Sequence, residues 1–61
     1  MKKYEQEIGS LYKSRTSDTY YLVTDITSIL PTHTVYFDQI DTGNNFMQEL
    51  KAFLRDHQKV S

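Results

Sequence analysis

The sequence predicts an α+β domain, a three-stranded antiparallel meander followed by one C-terminal α-helix in the order βββα, with a sheet small enough to curl toward a barrel. Three observations carry this prediction. The stretch 19–29 is dense in β-branched and aromatic residues. Pro31 and the run Asp41-Thr42-Gly43-Asn44 punctuate the chain on either side of a second such stretch. Beyond them Phe46, Leu50, Phe53, Leu54 and His57 recur at helical period. With 61 residues there is room for a single domain, 1–61. The chain has no cysteine, so neither a disulfide nor a thiolate zinc site staples it.

Taken in order, residues 7–13 form a weak first strand in which Gly9 permits a bulge or sharp bend. Thr16-Ser17-Asp18 is a cluster of turn formers. In the second strand, 19–29, simple alternation puts Tyr20, Leu22, Thr24 and Ile26 on the core face and Tyr21, Val23, Asp25 and Thr27 on the outer one. The third strand, 32–40, has Val35 and Phe37 opposite Tyr36, Asp38 and Ile40, so neither of its faces is cleanly polar. One helix covers only one face of a sheet, and such two-sided apolarity requires either a curled sheet or a second molecule on the other face. The helix is expected at about 45–57, with Asn45 as N-cap, Gln48 completing a capping box, and Arg55 and Lys59 suiting the negative end of its dipole. The expected core is Ile8, Leu11, Tyr20, Leu22, Ile26, Val35, Phe37, Phe46, Leu50, Phe53 and Leu54.

Hydrophobic residues make up 38% of the chain and charged residues 25%, too apolar a mix for a disordered chain of high net charge. No apolar run approaches the roughly 20 residues that span a bilayer, and Met1-Lys2-Lys3 is not followed by the apolar stretch of a secretory signal. With no cysteine, the expected location is the cytoplasm. The net charge of −1 is unevenly laid out: residues 1–15 carry +2, residues 16–50 carry −5 with no lysine or arginine, and residues 51–61 carry +2. One reading is a solvated mixed surface; the sharper one is an acidic face turned toward a basic partner.

Candidate chemistry is sparse. His33 and His57, with Asp38 or Asp41, lack any ligand spacing that defines a metal site, and His57 better suits the C-terminal end of the helix. Asp25 and Asp38 are potential neighbours across a hairpin, but on an outer face they are hydrated and poorly suited to acid–base work. Gly9 and Gly43 are isolated and cradle no phosphate. No metal, cofactor or catalytic residue is expected.

The five tyrosines say more. Exposed tyrosine suits protein contacts, and the strands holding Tyr20, Tyr21 and Tyr36 carry Asp25 and Asp38 rather than bases. The expected docking face is therefore Tyr21, Asp25, Tyr36, Asp38 and Asp41, turned to a protein partner with a basic surface. The alternative is a nucleic-acid-binding module that stacks bases on strand tyrosines and holds phosphates with Lys2, Lys3, Lys13 and Arg15. A homodimer that buries its own second sheet face is a third option.

The run Ile8-Gly9-Ser10-Leu11-Tyr12, then Tyr20-Tyr21-Leu22-Val23-Thr24-Asp25-Ile26, then Thr34-Val35-Tyr36-Phe37 and a helix ending in Phe53-Leu54 resembles the short accessory proteins encoded by bacteriophages. Many of these resemble a curled SH3-like sheet with one helix. The resemblance implies a protein that modulates or inhibits a host or phage machine by binding, in the host cytoplasm. It carries over no functional residue.

Overall fold

Left-handed backbone at Gly9 and Gly43, with φ of +89° and +74°, bends the chain at two points that only glycine reaches without strain. The computed structural model describes residues 5–29 and 32–60. After a single 3₁₀ turn at Glu5–Glu7 come strands β1 (Leu11–Ser14), β2 (Tyr20–Ile29), β3 (Thr32–Gln39) and β4 (Asn45–Glu49), helix α1 (Leu50–Asp56) and strand β5 (His57–Lys59). All neighbouring strands are antiparallel, in the order β4-β3-β2-β1-β5. The class is α+β. The expected three-stranded, SH3-like meander with a closing helix is overturned by this five-stranded sheet, whose fourth strand occupies the start of the expected helix and whose fifth follows the helix.

The helix over 45–57 fails at its first half for a reason of hydrogen bonding. Gly43 closes a four-residue loop in which its N–H donates to the Gln39 carbonyl (2.7 Å) and the Gln39 N–H donates to Asn44 (2.8 Å). That closure lays Asn45–Glu49 beside β3, with Phe46 opposite Phe37 and Gln48 opposite Val35. A helix there would leave the β3 edge unpaired. Asn45 is thus a strand residue rather than an N-cap, and Gln48 Nε2 donates to Asp56 Oδ2 instead of closing a capping box. The helix starts at Leu50 with no side-chain cap.

Along β2 the strict alternation expected from the sequence also breaks. Val23 pairs with Phe37, but Asp25 pairs with Tyr36, so Thr24 is an extra residue and the register shifts by one. Tyr21, Val23 and Ile26 consequently share the helix side, while Tyr20, Leu22 and Asp25 face away. Val23 is 1% exposed and Leu22 39%. The core is Tyr12, Val23, Val35, Phe37, Leu50 and Phe53, with Tyr21 and Ile26 packed against it. Five expected core members, Ile8, Tyr20, Leu22, Phe46 and Leu54, are instead exposed, and Leu11 is half-buried. The first strand begins at Leu11 rather than residue 7; Gly9 bends the chain into it, its N–H donating to Val23 (2.8 Å). The expected turn at Pro31 lies outside the described residues.

Strands β4 and β5 are opposite edges, about 19 Å apart if the sheet were flat. The seven-residue α1 joins them and spans only about 10 Å. The sheet therefore curls around its helix. Tyr21, on the central strand, reaches Phe46 of β4 at 6.3 Å and His57 of β5 at 5.0 Å between ring centroids. Toward the other end, the short helix leaves a cavity of ≈ 80 Å³ among Glu7, Tyr12, Ile26, Leu50, Phe53 and Leu54.

Candidate docking face

The strand registers assemble the side of the sheet that α1 does not cover. Leu11 lies opposite Leu22, which lies opposite Asp38, which lies opposite Asn45. A second row runs from Asp25 through Tyr36 to Met47. Tyr20 and Ile40 extend the patch at one end, joined by the Ile40 N–H to Tyr20 carbonyl bond of 3.0 Å. Exposed apolar side chains reach its margins, with Met47 on the edge strand 66% and Ile40 at the end of the patch 55% exposed. Alternation on β1, β3 and β4, and the shifted phase of β2, put these residues on one surface.

Asp25 and Asp38 sit on this face, two positions apart on neighbouring strands and without a shared partner. Asp25 Oδ1 accepts the Ile26 N–H at 2.8 Å, and Asp38 Oδ1 accepts Asn45 Nδ2 at 2.7 Å. Asp41, in the β3–β4 loop, accepts Gln39 Nε2 at 2.9 Å. Tyr36 is half-buried beside them, and its carbonyl accepts the Thr24 hydroxyl at 3.1 Å. The expected face therefore keeps Asp25, Tyr36 and Asp38 on the sheet and Asp41 in the adjoining loop, and loses Tyr21. The Thr24 bulge turns Tyr21 inward, where its ring meets Phe37 edge-on at 5.3 Å. Leu22, Tyr20 and Met47, which the sequence assigned to core or helix, take its place; a residue-by-residue reading contains no signal of the bulge that exposes Tyr20 and Leu22 or of the strand pairing that places Met47.

Two of the four basic residues of the alternative reading, Lys13 and Arg15, are committed elsewhere. Lys13 pairs with Asp18 at 3.6 Å. Arg15 donates from Nε to the Arg55 carbonyl (3.1 Å) and from Nη2 to that of Leu54 (3.3 Å). Lys2 and Lys3 lie outside the described residues. The histidines are also apart: the Ser28 hydroxyl and His33 Nδ1 meet across the β2–β3 pair, whereas His57 is buried against Phe53, their rings stacked at 4.4 Å. Because a carbonyl can only accept, His57 Nδ1 carries a proton and donates to Phe53 O at 2.9 Å. Among the described residues no three histidine, aspartate or glutamate side chains gather as a metal centre, and no helix is long and apolar enough to cross a membrane.

Comparison of the chain with protein-family models, with curated proteins and with solved structures yields no match.

Proposed function

We propose that this protein is a non-enzymatic binding module that docks on a larger protein and modulates or inhibits it in the cytoplasm, as the likeness to bacteriophage accessory proteins implies. The observation that carries the reading is the uncovered sheet face, where Leu22, Tyr20, Tyr36 and Met47 adjoin Asp25 and Asp38. Its apolar area excludes water and the two carboxylates set among it fix orientation, as apolar and charged groups do at protein interfaces. The partner it fits has an apolar patch that also presents lysine or arginine. Lys13 and Arg15, by contrast, already serve an ion pair and a helix end, which weakens the nucleic-acid reading.

The test is a pull-down from bacterial lysate at two salt concentrations, with an Asp25→Lys/Asp38→Lys variant alongside. We expect a bound protein that is lost in the variant and weakened by salt, the variant keeping its circular dichroism. Recovery of nucleic acid, or of the same protein by the variant, would overturn the proposal.

A further inference from the structure

The two edges of the sheet are not alike. Narrow and wide hydrogen-bonded pairs alternate along an antiparallel ladder. Counted from the Gln39–Asn44 pair, Phe46 and Gln48 turn their backbone groups toward β3, and Asn45, Met47 and Glu49 turn theirs outward. At the other edge, Val60 and Gln58 face β1, which leaves only His57 and Lys59 outward, and the His57 N–H already donates to Phe53. The edge at β5 is thus short and carries a lysine, two devices that discourage strand addition. The β4 edge is five residues long, contains no lysine, arginine or proline, and exposes Met47 and Phe46. The chain leaves it at Leu50 to cross the opposite face toward β5, so no described residue pairs with its outer side.

We propose that β4 is a self-association edge, at which two copies of this chain join antiparallel strands across a two-fold axis at Met47 into a ten-stranded sheet. The second copy is the occupant because the edge complements itself. In this register Met47 faces Met47, and the Asn45 amide faces the Glu49 carboxylate twice. Asn45 Nδ2 spends one hydrogen on Asp38 and has a second to give. Met47 exchanges both backbone bonds with its counterpart, and each Glu49 N–H donates to the facing Asn45 carbonyl. A register centred on Glu49 would oppose like charges, as would β5 against β5 at Lys59. The contact belongs to the small end of specific interfaces, below about 1,200 Å² in total, so association is expected in the micromolar range.

Sedimentation of the intact chain over roughly 1 μM to 1 mM, bracketing that range, tests this. The expected result is a concentration-dependent rise toward twice the 7.2 kDa mass. Amide exchange should slow with concentration at Met47 and Glu49 but not at Phe46 and Gln48. Glu49→Pro is chosen because the φ of Glu49 is −60°, which proline matches; it removes the outward N–H and the carboxylate that faces Asn45, and no hydrogen bond to β3. It should raise the association midpoint at least about tenfold. Met47→Lys, which opposes two cations at the axis, should do the same and decides the matter if Glu49→Pro does not fold. A chain that stays monomeric throughout, or a dimer indifferent to the folded variants, would overturn the proposal.

Discussion

Tyr12 is buried beside β5, and its hydroxyl donates to Glu7 Oε1 at 3.1 Å, the same oxygen that Lys59 Nζ approaches at 3.0 Å. Burial, then the nearby Glu7 charge and the hydrogen bond to it, pushes the phenol up to about 12 from its ordinary value of 10.0. The folded state thus holds the proton more tightly than the unfolded chain. Its contribution to stability is complete below pH 10 and is lost as the pH rises through about 12. Tyr12→Phe should flatten that part of the stability-versus-pH curve relative to the parent. In the parent, absorbance titration of tyrosinate should show one ring ionising last. A Tyr12→Phe protein with the parent's slope would contradict the assignment. Asp56 shows the opposite sign at the surface: hydrogen bonds from Arg55 and Gln48 hold its carboxyl below the usual range.

At the scale of elements, α1 is too short to persist alone and depends on what satisfies its ends. Its last carbonyls are all taken. Phe53 O accepts the His57 N–H and Nδ1, Leu54 O and Arg55 O accept the Arg15 guanidinium, and Asp56 O accepts the Arg15 N–H at 3.1 Å. A residue 40 positions away in sequence therefore caps the helix and lays a positive charge on its negative end. Arg15→Ala should cost about 1 kcal/mol in urea-unfolding experiments. Lysine at this position should restore only part of that, since a single ammonium does not reproduce the guanidinium fork. Were Arg15 instead a free contact for phosphates, neither change would alter stability.

For the molecule as a whole, one ring joins every layer. Phe53 is 1% exposed and meets Tyr12 of β1, Phe37 of β3 and His57 of β5 at 4.8, 4.7 and 4.4 Å. Phe53→Ala should cost about 3–5 kcal/mol. A chain of 61 residues has about 3–9 kcal/mol of total stability, so the variant should lose its cooperative thermal transition near room temperature. An unchanged melting temperature would contradict this packing. The curl that brings β4 and β5 within reach of one short helix puts that helix on one face only, and no other described element covers the opposite face. That links the stability of the core to the availability of the proposed docking face.

The sequence by itself determined the α+β class, the long second strand, the bends at Gly9 and Gly43, and four central core residues, Val35, Phe37, Leu50 and Phe53. These rest on local chemistry: β-branched density, positive φ, and apolar side chains spaced for one face. Its uneven charge likewise marked the acidic middle of the chain, including Asp25 and Asp38. Only the tertiary structure decided the rest. Residues 45–49 carry a helical period, yet the unpaired edge of β3 and the Gly43 loop convert them to a strand, because backbone groups far apart in sequence must be satisfied together. His57 to Lys59 becomes a strand only because β1 offers it an edge. The Thr24 bulge reverses which side of residues 20–23 is buried while leaving Ile26 inward, exchanging Tyr21 for Tyr20 and Leu22 on the outer face. Periodicity is a property of neighbours in sequence, and strand pairing is a property of neighbours in space.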